Sequence, residues 1–178
     1  MTSFPWYKNY SDAIPQQLSS LEFSSLPELF ETACKKFGDR VAFENMGGKI
    51  TYGEVDRLST HFAAYLQHEL GLKKGERIAI QMPNLLQFPI ALIGSMKAGL
   101  IVVNTNPLYT PREMEHQFKD AGISAIVIVS NFAHNLEQIK DKIPAKHIIV
   151  TDMGDMLGFV KGAVVNFVVK HIKKLVPD

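Results

Sequence analysis

Only one cysteine, Cys34, occurs among the 178 residues. An internal disulfide is therefore excluded, and no Cys/His spacing of the zinc type is present, so a reducing compartment, the cytoplasm, is the simplest expectation. Charge of one sign is lacking too, since 19 Lys and Arg stand against 18 Asp and Glu for a net charge of +1. That balance gives no global pull toward nucleic acid. No apolar run reaches the ~20 residues that a membrane-spanning helix needs. Residues 1–20 hold Lys8 as their one cation and no apolar stretch of signal-peptide length. Export by such a signal and a membrane span are not expected, while peripheral attachment stays open.

Phosphate-binding glycine patterns are missing as well. Gly47-Gly48-Lys49 has no glycine five residues before Gly48 and lies between two strand-like runs, so it reads as a hairpin turn rather than a P-loop. Met82-Pro83-Asn84-Leu85 carries no glycine that would let a pyrophosphate approach the backbone, which argues against a self-contained dinucleotide-binding domain. The histidines form no metal pattern: His61 and His68 are a heptad apart on one expected helix, and His116 and His134 fall on separate ones. Surface or supporting roles are expected for them. Cys34 has no paired histidine motif and reads as a small buried residue.

What is present is enough apolar residue, 46% of the chain, for one domain with a real core. Glu76–Met82, Leu100–Asn104, Ser124–Val129 and His147–Thr151 are apolar without period-2 alternation, the pattern of strands covered on both faces of a parallel sheet. Helical patterns separate them at about Leu85–Ala98, Pro111–Ala121 and Phe132–Lys142, which calls for crossovers and a layered α/β fold. Thr110, Pro111 and Glu113 occupy N-cap, N1 and N3 of the second of these helices, and Thr51 with Glu54 repeats the device ahead of Leu58, Phe62 and Leu66. A further helix is expected at Leu26–Phe37, and a small hairpin over Val41–Asn45 and Lys49–Thr51 is expected to pack at one edge. Leu85–Ala98 is apolar nearly all round, so it either lines an acyl tunnel or is sandwiched between layers, and core packing is the default role.

Two ends differ from this middle. Phe4, Trp6, Tyr7 and Tyr10 make an aromatic arm with Pro5 and Pro15. From Met156 onward Leu157, Val160, Val164, Val168, Ile172 and Leu175 recur at helical spacing, with Lys161, Lys170, Lys173 and Lys174 as cations and Asp178 as the one acid. The chain thus divides into an arm at 1–25, an α/β subdomain at 26–152 with its hairpin at 41–51, and a basic amphipathic helical segment at 153–178. For that segment, packing of the apolar stripe on the domain is weighed slightly ahead of a membrane interface. The spaced glycines Gly154, Gly158 and Gly162 are read as close packing or loop flexibility.

Met82-Pro83-Asn84-Leu85-Leu86-Gln87-Phe88-Pro89, Ala98 to Asn104 and above all Asn106-Pro107-Leu108-Tyr109-Thr110-Pro111-Arg112-Glu113 resemble the adenylate-forming superfamily of acyl-CoA synthetases, luciferases and peptide-synthetase adenylation domains. The resemblance is closest to bacterial long-chain fatty acid CoA ligases and runs from Trp6 to the basic helix near Val164–Pro177. It implies an α/β fold, a layered and mostly parallel sheet with flanking helices, as part of the large N-terminal domain of an adenylate-forming enzyme. It also implies ATP, Mg²⁺ and CoA as cofactors and long-chain fatty acid as substrate, with acyl-adenylate formed first and CoA displacing AMP second.

The family's Ser/Thr/Gly-rich phosphate loop, its adenine-contacting aromatic motif, its ribose-holding aspartate and its C-terminal lysine find no match here. The chain is therefore expected to be an inactive N-terminal piece of a much longer ligase, with no catalytic, cofactor-binding or metal-binding residue of its own. Asn106, Pro107, Tyr109, Thr110 and Glu113 are expected to be structural members of the shared motif, and Lys161, Lys170, Lys173 and Lys174 are candidate membrane contacts. Peripheral contact with the inner membrane and a homodimer through N-terminal surfaces complete the expectations. Two rival readings are a non-catalytic α/β module docking on a membrane or partner through its basic helix, and a ligase for an aromatic or medium-chain acid.

Overall fold

The computed structural model describes residues 4–15 and 22–177; the rest of the expected arm and Asp178 lie outside them. Four parallel strands form the central sheet: β3 (Arg77–Gln81), β4 (Ile101–Asn104), β5 (Ala125–Val129) and β6 (His147–Thr151), in the order β4-β3-β5-β6. Register pairs Ile78 with Val102 on one side and with Ala125 on the other, and Val127 with Ile149. The β1 (Val41–Asn45) and β2 (Gly48–Thr51) hairpin forms a separate two-stranded ribbon ahead of them. Its turn uses Met46 and Gly47 at φ of 50° and 70°. That double left-handed geometry matches the twist of the strands it joins.

Alternation along the central strands assigns the two faces. Ile78, Ile80, Ala125 and Val127 pack with Ala63 of α2 (Tyr52–Ala64), Leu66 of its continuation Tyr65–Glu69, Ala91 of α3 (Gln87–Lys97) and Ala98 that caps α3. Ala79, Ile126 and Ile128 point the other way, onto Met114 and Phe118 of α4 (Pro111–Ala121) and Leu136 of α5 (Ser130–Glu137). The three helices between the strands are thus split over both faces, as the alternating β and α pattern requires. The hairpin is not an edge of this sheet. Ile50 joins Val55, Leu86 and Ile93 in a small third cluster, so the ribbon rests on α2 and α3.

Several expectations need correction. Only β3 and β5 are covered on both faces; β4 and β6 are the outermost strands, with Ile101, Ile148 and Val150 about half exposed and Val102 and Ile149 partly buried. Their apolar runs encode an edge position that composition does not distinguish from a centre. The helix expected from Leu85 begins at Gln87, which puts Pro89 in its first turn, where no backbone donor is required. The helix expected over Phe132–Lys142 starts earlier and stops at Glu137, and a short 3-10 turn follows at Lys140–Lys142. α1 (Leu26–Phe37) and α4 have the expected bounds, each opened by a hydroxyl cap, Ser25 or Thr110.

The C-terminal segment departs most. α6 (Phe159–Phe167) continues in a wider π-type winding over Val168–Ile172. Gly162, with Val165, Asn166 and Val169, faces inward, whereas Val160, Val164, Ile172 and Leu175 of the expected core stripe are exposed. Only Met156 and Leu157, ahead of the helix, reach the core beside Ile50 and Leu86. The reason is a backbone contact: a Cβ on Gly154 would meet the Gly162 carbonyl oxygen at 2.5 Å. Asn166 accepts a hydrogen bond from the Gly154 N–H at 2.7 Å and donates to Asp155 Oδ1 at 3.1 Å. The side bearing Gly162 and Asn166 therefore docks, and of the expected stripe Val160, Val164, Ile172 and Leu175 are left outside while Val168 is half-buried.

Candidate functional site

In an open parallel sheet, ligands meet the carboxyl ends of the strands where neighbouring crossovers leave in opposite directions. Here the chain leaves β3 for β4 on one side and returns to β5 on the other, so the switch point lies at the carboxyl ends of β3 and β5. The motif 104–113 is mounted on this rim. Thr105 continues β4 by donating its N–H to the Ile80 carbonyl at 3.0 Å. Asn106 then folds an Asx turn, its Oδ1 accepting from the Leu108 N–H at 3.0 Å while its carbonyl accepts from the Tyr109 N–H at 3.2 Å. Pro107 sits inside that turn, and Tyr109 packs against the Met114 and Phe118 cluster.

The turn delivers the chain into the capping box of α4. Glu113 Oε2 accepts from the Thr110 N–H at 2.8 Å and from its hydroxyl at 2.7 Å, and the Glu113 N–H returns to Thr110 Oγ1 at 3.4 Å. Donation from the Thr110 backbone, then from its hydroxyl, holds the Glu113 carboxyl below the usual glutamate range. Asn106, Pro107, Tyr109, Thr110 and Glu113 thus come together as one rim-building unit with no nucleophile and base paired among them.

One member of this rim escaped the sequence reading. Gln81, the last residue of β3, is fully buried, and its Nε2 donates to the Asn106 carbonyl at 3.3 Å. Among the described residues its Oε1 has no partner, and neither do the buried Gln117 Oε1 and Asn131 Oδ1. Gln117 Nε2 holds the Asn104 carbonyl and Asn131 Nδ2 holds the Leu175 carbonyl, so all three amides clamp backbone at this end and leave it short of donors. A lone amide ending an otherwise apolar strand was the available signal for Gln81.

The remaining candidates are scattered. Lys161 reaches the hairpin turn and donates to the Met46 carbonyl, while Lys170, Lys173 and Lys174 are exposed at the end of the tail helix. His61, His68, His116 and His171 are exposed, and no group of three or more His, Cys, Asp or Glu suited to a metal occurs among the described residues. Cys34 is buried, and its burial, with the Asp56 charge next in weight, raises its thiol above the ordinary value. α3 is sandwiched against α2: a Cβ on Gly94 would lie 2.8 Å from the Ser59 carbonyl oxygen. Its opposite side, with Phe88 and Leu92, lines a 320 Å³ apolar cavity together with Phe30 and Phe43.

The AMP-binding enzyme family matches residues 30–172. The chain belongs to that family. It is 55% identical over 172 residues to a long-chain-fatty-acid–CoA ligase of Salmonella typhimurium, covering 97% of this chain and 31% of that ligase. A Bacillus subtilis long-chain-fatty-acid–CoA ligase is 34% identical over 157 residues, 88% of this chain and 28% of the relative. The chain therefore spans about a third of the length of the curated relatives it matches. Among solved structures, a long-chain-fatty-acid-CoA ligase from Archaeoglobus fulgidus superposes with a TM-score of 0.66 at 21% identity, over 79% of this chain and 29% of that one. At that identity the likeness is one of fold, and it agrees with the layered parallel sheet.

Proposed function

We propose that these residues form the N-terminal third of a cytoplasmic, ATP-dependent long-chain fatty acid CoA ligase. In the first half-reaction a fatty acid carboxylate attacks the α-phosphorus of Mg-ATP, giving acyl-adenylate and pyrophosphate. In the second the CoA thiol attacks the acyl carbon and AMP leaves, giving acyl-CoA. The observation that carries the reading is the 55% identity over 97% of the chain to a long-chain-fatty-acid–CoA ligase. The motif 104–113 supports it as scaffold, since Asn106, Tyr109, Thr110 and Glu113 build the sheet rim through turn, packing and cap contacts.

The role assigned to this segment is to hold the carboxyl ends of β3, β4 and β5 in place while other parts of the polypeptide supply the phosphate and adenylate contacts. Pyrophosphate release by the full-length polypeptide, measured with saturated acids of graded length, tests it. Turnover that rises toward long chains and requires both ATP and CoA is expected. Preference for benzoate or a medium-chain acid would replace the substrate class, and absence of ATP-dependent thioester formation with any acid would overturn the reading.

A further inference from the structure

We propose that the outer face of α6 and its continuation is a docking surface for an anionic lipid bilayer. The face follows from how the helix sits. Gly162 and Asn166 fix its inner side to the loop after β6, so the residues on the opposite side are turned to solvent. There Val160 is 73% exposed, Val164 57% and Phe167 58%, and Phe159, the first residue of the helix, is 93% exposed at its free end. Val160, Val164 and Phe167 make one ridge over two successive turns, with Phe159 exposed at its start, which is more apolar surface than scattered residues would give.

The next two turns change character, and Lys170 and His171 there also border a pocket with Asp152 and Asn166. Lys170, His171 and Lys174 line one notch of about 260 Å³ with Val176 and Pro177, and Lys173 is exposed beside them. From Met156 to Pro177 there is no Asp or Glu. An apolar ridge running into a cationic notch is the arrangement of a helix that lies in a bilayer interface, its ridge among acyl chains and its cations among lipid phosphates. The occupant is thereby an anionic bilayer, because a protein partner would have to match both an apolar ridge and a notch that carries two lysines and no carboxylate. The helix lies on the membrane and does not cross it, since no helix among the described residues is long and apolar enough to span one. Lys161 is not part of the surface, being held by the Met46 carbonyl.

The proposal stands apart from the catalytic reading and is tested without it. The full-length polypeptide is sedimented with vesicles of phosphatidylcholine alone and with vesicles of equal parts phosphatidylcholine and phosphatidylglycerol. Binding to the anionic vesicles only is expected. A triple variant (Lys170→Gln, Lys173→Gln, Lys174→Gln) and a double variant (Phe159→Ser, Phe167→Ser), checked for folding by circular dichroism, each lose at least about tenfold in apparent affinity. A fluorophore on Val160→Cys, as the single accessible thiol, shifts to the blue when anionic vesicles are added. Unchanged binding by both variants, or no binding by the parent, overturns the proposal. So does a Val160→Cys thiol that is unreactive before vesicles are added, which would assign the ridge to another segment of the polypeptide or to a second copy.

Discussion

Lys97 Nζ lies 2.6 Å from Asp56 Oδ1 and ties the end of α3 to the middle of α2. The ammonium also donates to the Asp56 carbonyl at 3.3 Å and to Thr60 Oγ1 at 2.9 Å. All three of its protons are therefore used, on a side chain only 10% exposed. Asp56 is 44% exposed, so water shares in the interaction and moderates it. Asp56→Ala is expected to lower stability by about 1–2 kcal/mol in urea denaturation, because a mostly buried cation keeps only two neutral acceptors. The double variant Asp56→Ala with Lys97→Met loses less than the sum of the singles, since removing the cation removes the cost of leaving it unpaired.

The cap of α4 gives a pH-dependent prediction. Thr110→Ala removes the hydroxyl that the Glu113 N–H uses and costs about 1 kcal/mol. Because Glu113 titrates below its ordinary value in the fold, its contribution is fully present above the unfolded glutamate pKa and is lost as pH falls through the lowered folded value. Denaturation midpoints of wild type and Glu113→Gln should therefore differ at neutral pH and converge as the medium becomes acidic. A gap that stays constant down to acid pH contradicts the assignment.

Core truncations separate central from outer strands. Ile80→Ala and Ile126→Ala, at fully buried positions of β3 and β5, should each cost about 2–5 kcal/mol. Ile149→Ala on the outermost β6 should cost distinctly less, because that side chain is only partly buried. Equal losses at Ile149 and Ile126 would mean that β6 is covered by something beyond the described residues.

Gly162→Ala tests the docking of α6. Its Cβ would press on the Gly154 carbonyl, backbone against backbone, where nothing flexible can yield. Overpacking of this kind costs about 1–3 kcal/mol and should expose the 155–166 amides to faster hydrogen exchange. Gly158→Ala is a separate case: its cost comes from its φ of 80°, with no atom in the way.

The sheet was legible because β-branched runs separated by capped helices admit few arrangements. The Thr110 and Glu113 box and the Leu26–Phe37 helix are encoded within a few residues of themselves. The outward turn of α6 was not legible, since its hydrophobic period is genuine and what decides its direction is the contact of Gly154 with Gly162 and Asn166. Which strands are outermost was hidden for a similar reason: Ile148 and Val150 are as apolar as Ile126 and Ile128, and only chain topology tells them apart. Gln81 shows the same limit at the rim, where a buried amide becomes meaningful only once Asn106 is folded back onto it.

Among the described residues β6 closes the sheet on one side and pairs with β5 alone, and Ile148 and Val150 stand half open on it. A straight apolar strand with a free hydrogen-bonding margin is a template on which further strands can grow. Residues 1–178 produced by themselves should accordingly self-associate in a concentration-dependent way, building intermolecular β-structure from this margin. A single charge there, Val150→Lys, would serve as a gatekeeper and keep the protein monomeric at little cost to its fold.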